Sequence, residues 1–102
     1  MYKVAITGIG IISCLGITVE DVGAALRSGK SGIAIDEERI KRGFRSPLTG
    51  IIKGFTPHGS LSRKHLKTMP DFAVQAYTAS LNAILMSGLE LKDIQNGQTG
   101  LI

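Results

Sequence analysis

Apolar and polar positions fall into segments of different period along this 102-residue chain. Lys3 to Gly8 is rich in β-branched side chains and alternates only weakly, which predicts a strand buried on both faces. Gly8 and Gly10 follow, where the backbone can bend or approach a neighbour closely. Val19, Val22 and Leu26 then recur at helical spacing and mark one face of a helix. Thr18 stands where an N-cap belongs, with Asp21 three residues on, a capping box with the shorter acid. Gly29 occupies the helix C-terminus, where a left-handed residue is favoured. Ser31 to Ile35 reads as a short extended piece. Glu37 to Pro57 carries mixed signals, with a strand expected around Thr49 to Lys53.

Two helices are expected next. Ser62 to Met69 is short and amphipathic: Leu66 and Met69 share one face, while Arg63, Lys64 and Lys67 cluster on another. Pro70 suits the first turn of the following helix, with Asp71 near its positive end. From Phe72 to Met86 that helix is apolar nearly all round, so it is expected to be covered on most sides. Asn96-Gly97 marks a turn, and Thr99 to Ile102 reads as a strand that has only begun, since strands usually run ~5–6 residues. An all-round apolar helix and an unfinished strand together lead to the expectation that the rest of the domain lies beyond Ile102.

Composition narrows the class. The hydrophobic content of 43% is that of an ordinary globular protein. No stretch approaches the ~20 apolar residues of a membrane span. Cys14 is the single cysteine, which precludes an internal disulfide and is compatible with a reducing cytoplasm. Ile11-Ile12-Ser13-Cys14 looks like a lipoprotein cleavage box. However, Thr7, Gly8 and Gly10 interrupt the apolar run before it, and the strand reading explains those residues better.

The net charge of +4 is less telling than its distribution. Arg39, Lys41, Arg42, Arg45, Lys53, Arg63, Lys64 and Lys67 fall between Arg39 and Pro70 with no acid among them. Such a segment suggests a positive face for an anionic partner, although a solvated surface accounts for the charge equally well.

Candidate chemistry is sparse. Gly8-Ile9-Gly10 after a strand, then a helix and Asp36, imitates a dinucleotide site. Ser13 stands where the third glycine belongs, and Asp36 lies late. The helix begins near Thr18, too far on to cradle a pyrophosphate. Gly29-Lys30-Ser31 resembles the end of a P-loop but lacks its upstream glycine. Cys14, in an apolar context, reads as a buried structural thiol, and His58 and His65 as surface histidines without partners at metal spacing. Glu20-Asp21 and Asp36-Glu37-Glu38 fit helix-start and loop roles.

The string VAITGIGIISCLG, then Thr18-Val19-Glu20-Asp21, Ala24-Ala25-Leu26 and Gly29-Lys30-Ser31-Gly32-Ile33, resembles the N-terminus of a β-ketoacyl-[acyl-carrier-protein] synthase. The likeness continues through Gly50 to Phe55, both later helices and Thr99 to Ile102, and so covers essentially the whole of residues 1–102. It is similar to the elongating synthases of types I and II, and the middle segment is closer to type I. The resemblance implies an α/β class, as the N-terminal part of a layered αβαβα thiolase-like fold, with Phe72 to Met86 as its central helix. It implies a homodimeric, cytoplasmic enzyme of fatty acid synthesis, with acyl carrier protein as partner and neither nucleic acid nor membrane involved.

In that family a cysteine takes the acyl chain and two histidines assist decarboxylation and condensation. Those three residues are expected beyond Ile102, so no catalytic role passes to Cys14, His58 or His65, and these residues alone are expected to be inactive. No metal is implied, and no cofactor beyond the carrier's own pantetheine arm. Arg63, Lys64 and Lys67 resemble the positions that dock the acidic carrier, a contact whose charge complementarity speeds and orients encounter. A small basic module for an acidic protein or nucleic acid, and a nucleotide-binding α/β domain, are the alternative readings.

Overall fold

A computed structural model describes residues 1–102. The elements in order are α1 (Val19–Arg27), β1 (Ile33–Ile35), α2 (Glu37–Lys41), β2 (Leu48–Gly50), α3 (Arg63–Thr68), α4 (Asp71–Ser87) and α5 (Leu91–Ile94). They belong to two compact units, Met1–Gly10 with Ser60–Ile102, and Ile11–Gly59. Helices with a small antiparallel sheet agree with the α/β class.

In the 11–59 unit, Ser13 and Gly16 exchange backbone hydrogen bonds across a tight turn (2.9 and 3.3 Å). Helix α1 then starts at the predicted N-cap: the Asp21 N–H donates to Thr18 Oγ1 at 3.1 Å, satisfying one of the amides that a helix start leaves without a partner, while Asp21 does not return the bond that would complete the expected capping box. At the other end Gly29 takes φ +66°. Its N–H bonds the Leu26 carbonyl (3.2 Å) and the Lys30 N–H bonds the Ala25 carbonyl (2.9 Å), which makes a Schellman termination. Val22 and Ala25 are the buried residues of α1, whereas Leu26 is 64% exposed, so the covered face is rotated towards Ala25 from the one expected.

β1 and β2 pair antiparallel, with Ile33 opposite Gly50, Ala34 opposite Thr49 and Ile35 opposite Leu48. The second strand therefore begins and ends earlier than Thr49 to Lys53. Between them lies α2, five residues that the mixed pattern did not resolve. Asp36 Oδ1 accepts from the Glu38 N–H (3.0 Å) and starts it. Gly43 and Phe44 close it through the carbonyls of Ile40 and Arg39.

In the other unit, α4 follows Pro70, whose fixed φ suits a helix start, and ends at Gly88 with φ +70°. The segment before Gly10 pairs with no strand and its side chains are mostly exposed, which corrects the expectation of a strand buried on both faces. Its place is set instead by backbone approach to α4. A methyl at Gly8 would fall on the Ala83 carbonyl oxygen, and one at Gly10 on that of Ala79. Between them the Ile9 N–H lies 3.3 Å from Met86 Sδ. These glycines are therefore packing positions.

Helix α4 is less covered than its apolar character predicts: Val74 and Thr78 are buried, but Phe72 is 73% and Leu85 72% exposed. Val4 and Ile6 are likewise open to solvent. Thr99 to Ile102 forms no strand. Apolar side chains that the pattern places in a core therefore stand open to solvent here. No helix is long and apolar enough to cross a membrane.

Candidate functional site

Helix α3 carries Arg63, Lys64 and Lys67 on six residues. Arg63 and Lys67 are four apart and Lys64 and Lys67 three apart, so the three cations share one side of the helix. All three are exposed. The ion pairs of the structure are Lys41–Glu38 (3.0 Å) and Lys92–Glu90 (2.7 Å), so the α3 cations have no carboxylate partner. Like charges at this spacing oppose helix formation, and isolated helices below ~12–15 residues are marginal in water. What holds α3 is its capping. The His65 N–H donates to Ser62 Oγ (3.3 Å), and the Ser62 N–H donates back to His65 Nδ1 (3.2 Å). At the far end the Thr68 hydroxyl donates to the His65 carbonyl (3.0 Å).

His65 thus completes a capping box in place of the usual Glu or Gln. Sequence reading placed it only as a surface histidine. The signal that could have found it is Ser62 followed at N3 by a side chain able to accept a hydrogen bond. In the same unit Ser60 Oγ lies 3.1 Å from the Tyr77 hydroxyl, which ties the approach to α3 onto α4.

The other basic residues behave differently. The Arg39 guanidinium lies 4.4 Å from the centroid of the Phe44 ring, and its Nε donates to the Ser46 carbonyl (3.0 Å). Lys41 is paired with Glu38. These two are therefore engaged within the 37–50 excursion, and the run of eight cations is not one equivalent set.

A cleft of about 680 Å³ lies in the 11–59 unit. Residues Ser13 to Ile17, the α1 side chains and Lys30 and Lys53 line it. Cys14, half-buried, packs against the backbone where Gly32 and Gly50 leave room: a Cβ at Gly50 would stand 2.9 Å from Cys14 Sγ. The thiol is packed on one side but half-buried at the cleft, less enclosed than the buried structural thiol expected. The glycines that imitate a dinucleotide site face the α4 backbone, and α1 begins only at Val19.

Comparison with known proteins decides the family. The model for the beta-ketoacyl synthase N-terminal domain matches residues 1–102. The chain belongs to the beta-ketoacyl synthase family. It is 39% identical over its whole length to 3-oxoacyl-[acyl-carrier-protein] synthase 1 of Haemophilus influenzae. Identity is 37% to synthase 1 of Escherichia coli K12, again over all of the chain. To synthase 2 of Vibrio cholerae it is 32% identical over 97% of the chain. In each case it spans about a quarter of the relative's length (25, 25 and 24%). Within this beta-ketoacyl synthase sequence, α3 presents three exposed cations on one side, none with a carboxylate partner.

Proposed function

We propose that this chain is the N-terminal part of a β-ketoacyl-[acyl-carrier-protein] synthase, an acyltransferase of fatty acid synthesis. The observation that supports this reading most strongly is the family match across all of residues 1–102 together with relatives named 3-oxoacyl-[acyl-carrier-protein] synthase. The reaction is a decarboxylative Claisen condensation. A cysteine thiolate attacks the acyl thioester and the first carrier's thiol leaves. The malonyl group on a second carrier loses carbon dioxide, and the resulting carbanion attacks the acyl-enzyme and releases the cysteine. In this reading the nucleophile and two histidines come from outside residues 1–102, and the whole enzyme is a cytoplasmic homodimer with a thiolase-like αβαβα fold. Further layers of that fold cover the open faces of Val4, Ile6, Phe72 and Leu85.

The contribution of these residues is scaffold and docking. Arg63, Lys64 and Lys67 meet the acidic acyl carrier protein, and the resulting attraction raises the encounter rate and orients the carrier. Two measurements test the reading. Residues 1–102 alone, given acyl- and malonyl-carrier protein, should form no β-ketoacyl product, and turnover by them would overturn the assignment of the chemistry elsewhere. Arg63→Glu with Lys64→Glu in the natural protein should weaken salt-sensitive carrier binding, and binding that survives both changes would remove the docking role.

A further inference from the structure

We infer that His65 is a positioning residue for carrier docking: by closing the capping box with Ser62 it holds Arg63, Lys64 and Lys67 in the helical register that meets the acidic partner. The inference rests on the docking reading above. Helix α3 has six residues, no acid in its first turn and three cations on one side, so its own sequence does little to keep it helical. The amide of its N-cap and the amide of N3 are satisfied by one reciprocal pair, Ser62 N–H to His65 Nδ1 at 3.2 Å and His65 N–H to Ser62 Oγ at 3.3 Å. Ser62 Oγ also lies 3.1 Å from the same Nδ1. Nδ1 is the acceptor for the amide, which puts the ring proton on Nε2.

The imidazole therefore fixes where the helix starts. Arg63 is the first residue after the cap, Lys64 the second, and Lys67 follows one turn later. If the box opens, the first turn frays, and the cations keep their charge but lose their shared direction. His65 needs no contact with the partner to matter for docking. The role requires a hydrogen-bond acceptor at N3, and Gln supplies one without altering net charge.

The experiment uses the natural protein and the acyl carrier protein of the same organism, with binding measured by titration calorimetry at several salt concentrations. Turnover is measured in parallel with a pantetheine thioester that carries no protein. His65→Ala should weaken carrier binding about five-fold, the effect expected of losing a cap. It should flatten the salt dependence at unchanged α3 cation count and raise KM for the carrier substrate, leaving carrier-free turnover as it was. His65→Gln should restore binding to within about two-fold. Ser62→Ala removes the other half of the box and should cause a loss that does not add to that of His65→Ala. It also supplies the test should His65→Ala fail to fold.

Equal binding by His65→Ala and the unaltered protein, while Arg63→Glu binds weakly, would overturn the positioning role and leave docking intact. A parallel fall in carrier-free turnover would overturn it too, since the effect would then be general destabilisation. Unchanged binding by Arg63→Glu and Lys64→Glu would remove the docking reading and this inference with it.

Discussion

Alanine at Gly10 would set a methyl on the Ala79 carbonyl oxygen, close also to the Ala83 backbone nitrogen. Both are main-chain atoms of α4, so no side-chain rotation relieves the clash. Either the N-terminal segment or the helix must move by more than an ångström to restore ordinary contact. Forcing extra methyl groups into a closely packed site costs typically about 1–3 kcal/mol, and a backbone-to-backbone clash belongs at the upper end. Against this, Gly→Ala gains about 0.4–1 kcal/mol by restricting the unfolded chain. The net loss is then roughly 2 kcal/mol, or on the order of 10 °C in melting temperature for a unit of this size. Gly59→Ala supplies the control: nothing lies within 4 Å of its Cβ position and its φ is not left-handed. Thermal melts followed by circular dichroism should show Gly10→Ala well below the parent and Gly59→Ala level with it or slightly above. Melts for the two variants within about a degree of each other would refute the claim that Gly10 is there for close approach.

Thr18→Ala removes the acceptor for the Asp21 N–H and should cost about 1 kcal/mol in urea unfolding, recovered by Thr18→Ser. Gly29→Ala places a Cβ at φ +66° and should destabilise by roughly 1 kcal/mol although nothing crowds the site, a loss that Gly29→Asn would partly recover. Arg39→Gln gives up the Phe44 face and the Ser46 bond and should lower stability by about 0.5–1 kcal/mol in chemical denaturation; Arg45→Gln, with no such partners, should not.

What could be read in advance was what short-range chemistry controls. Thr18 and Gly29 delimit α1 because capping involves amides and carbonyls only two to four residues away. Helix α4 was legible because its apolar pattern runs from Phe72 to Met86 behind Pro70, which is most of the seventeen residues it spans. The cluster of Arg63, Lys64 and Lys67 was visible as a spacing. Helix α2 was not, because five residues leave too short a period. In the sequence its start at Asp36 reads only as an acid that fits either a helix-start or a loop role.

The sequence by itself therefore determined local boundaries, the helical character of α1, α3 and α4, and membership of a family recognisable from an ordered series of residues. Tertiary structure decided everything that depends on a distant partner. Val4 to Gly10 has strand composition yet forms no strand, because a strand is made by a neighbour's N–H and C=O groups and none is paired with it here. Gly8 and Gly10 owe their role to carbonyls more than sixty residues away, on α4. Arg39 belongs to a ring and a carbonyl across a loop rather than to the basic run in which it is written. Propensity and capping act over one turn of chain, whereas pairing and close approach depend on which segments fold against one another.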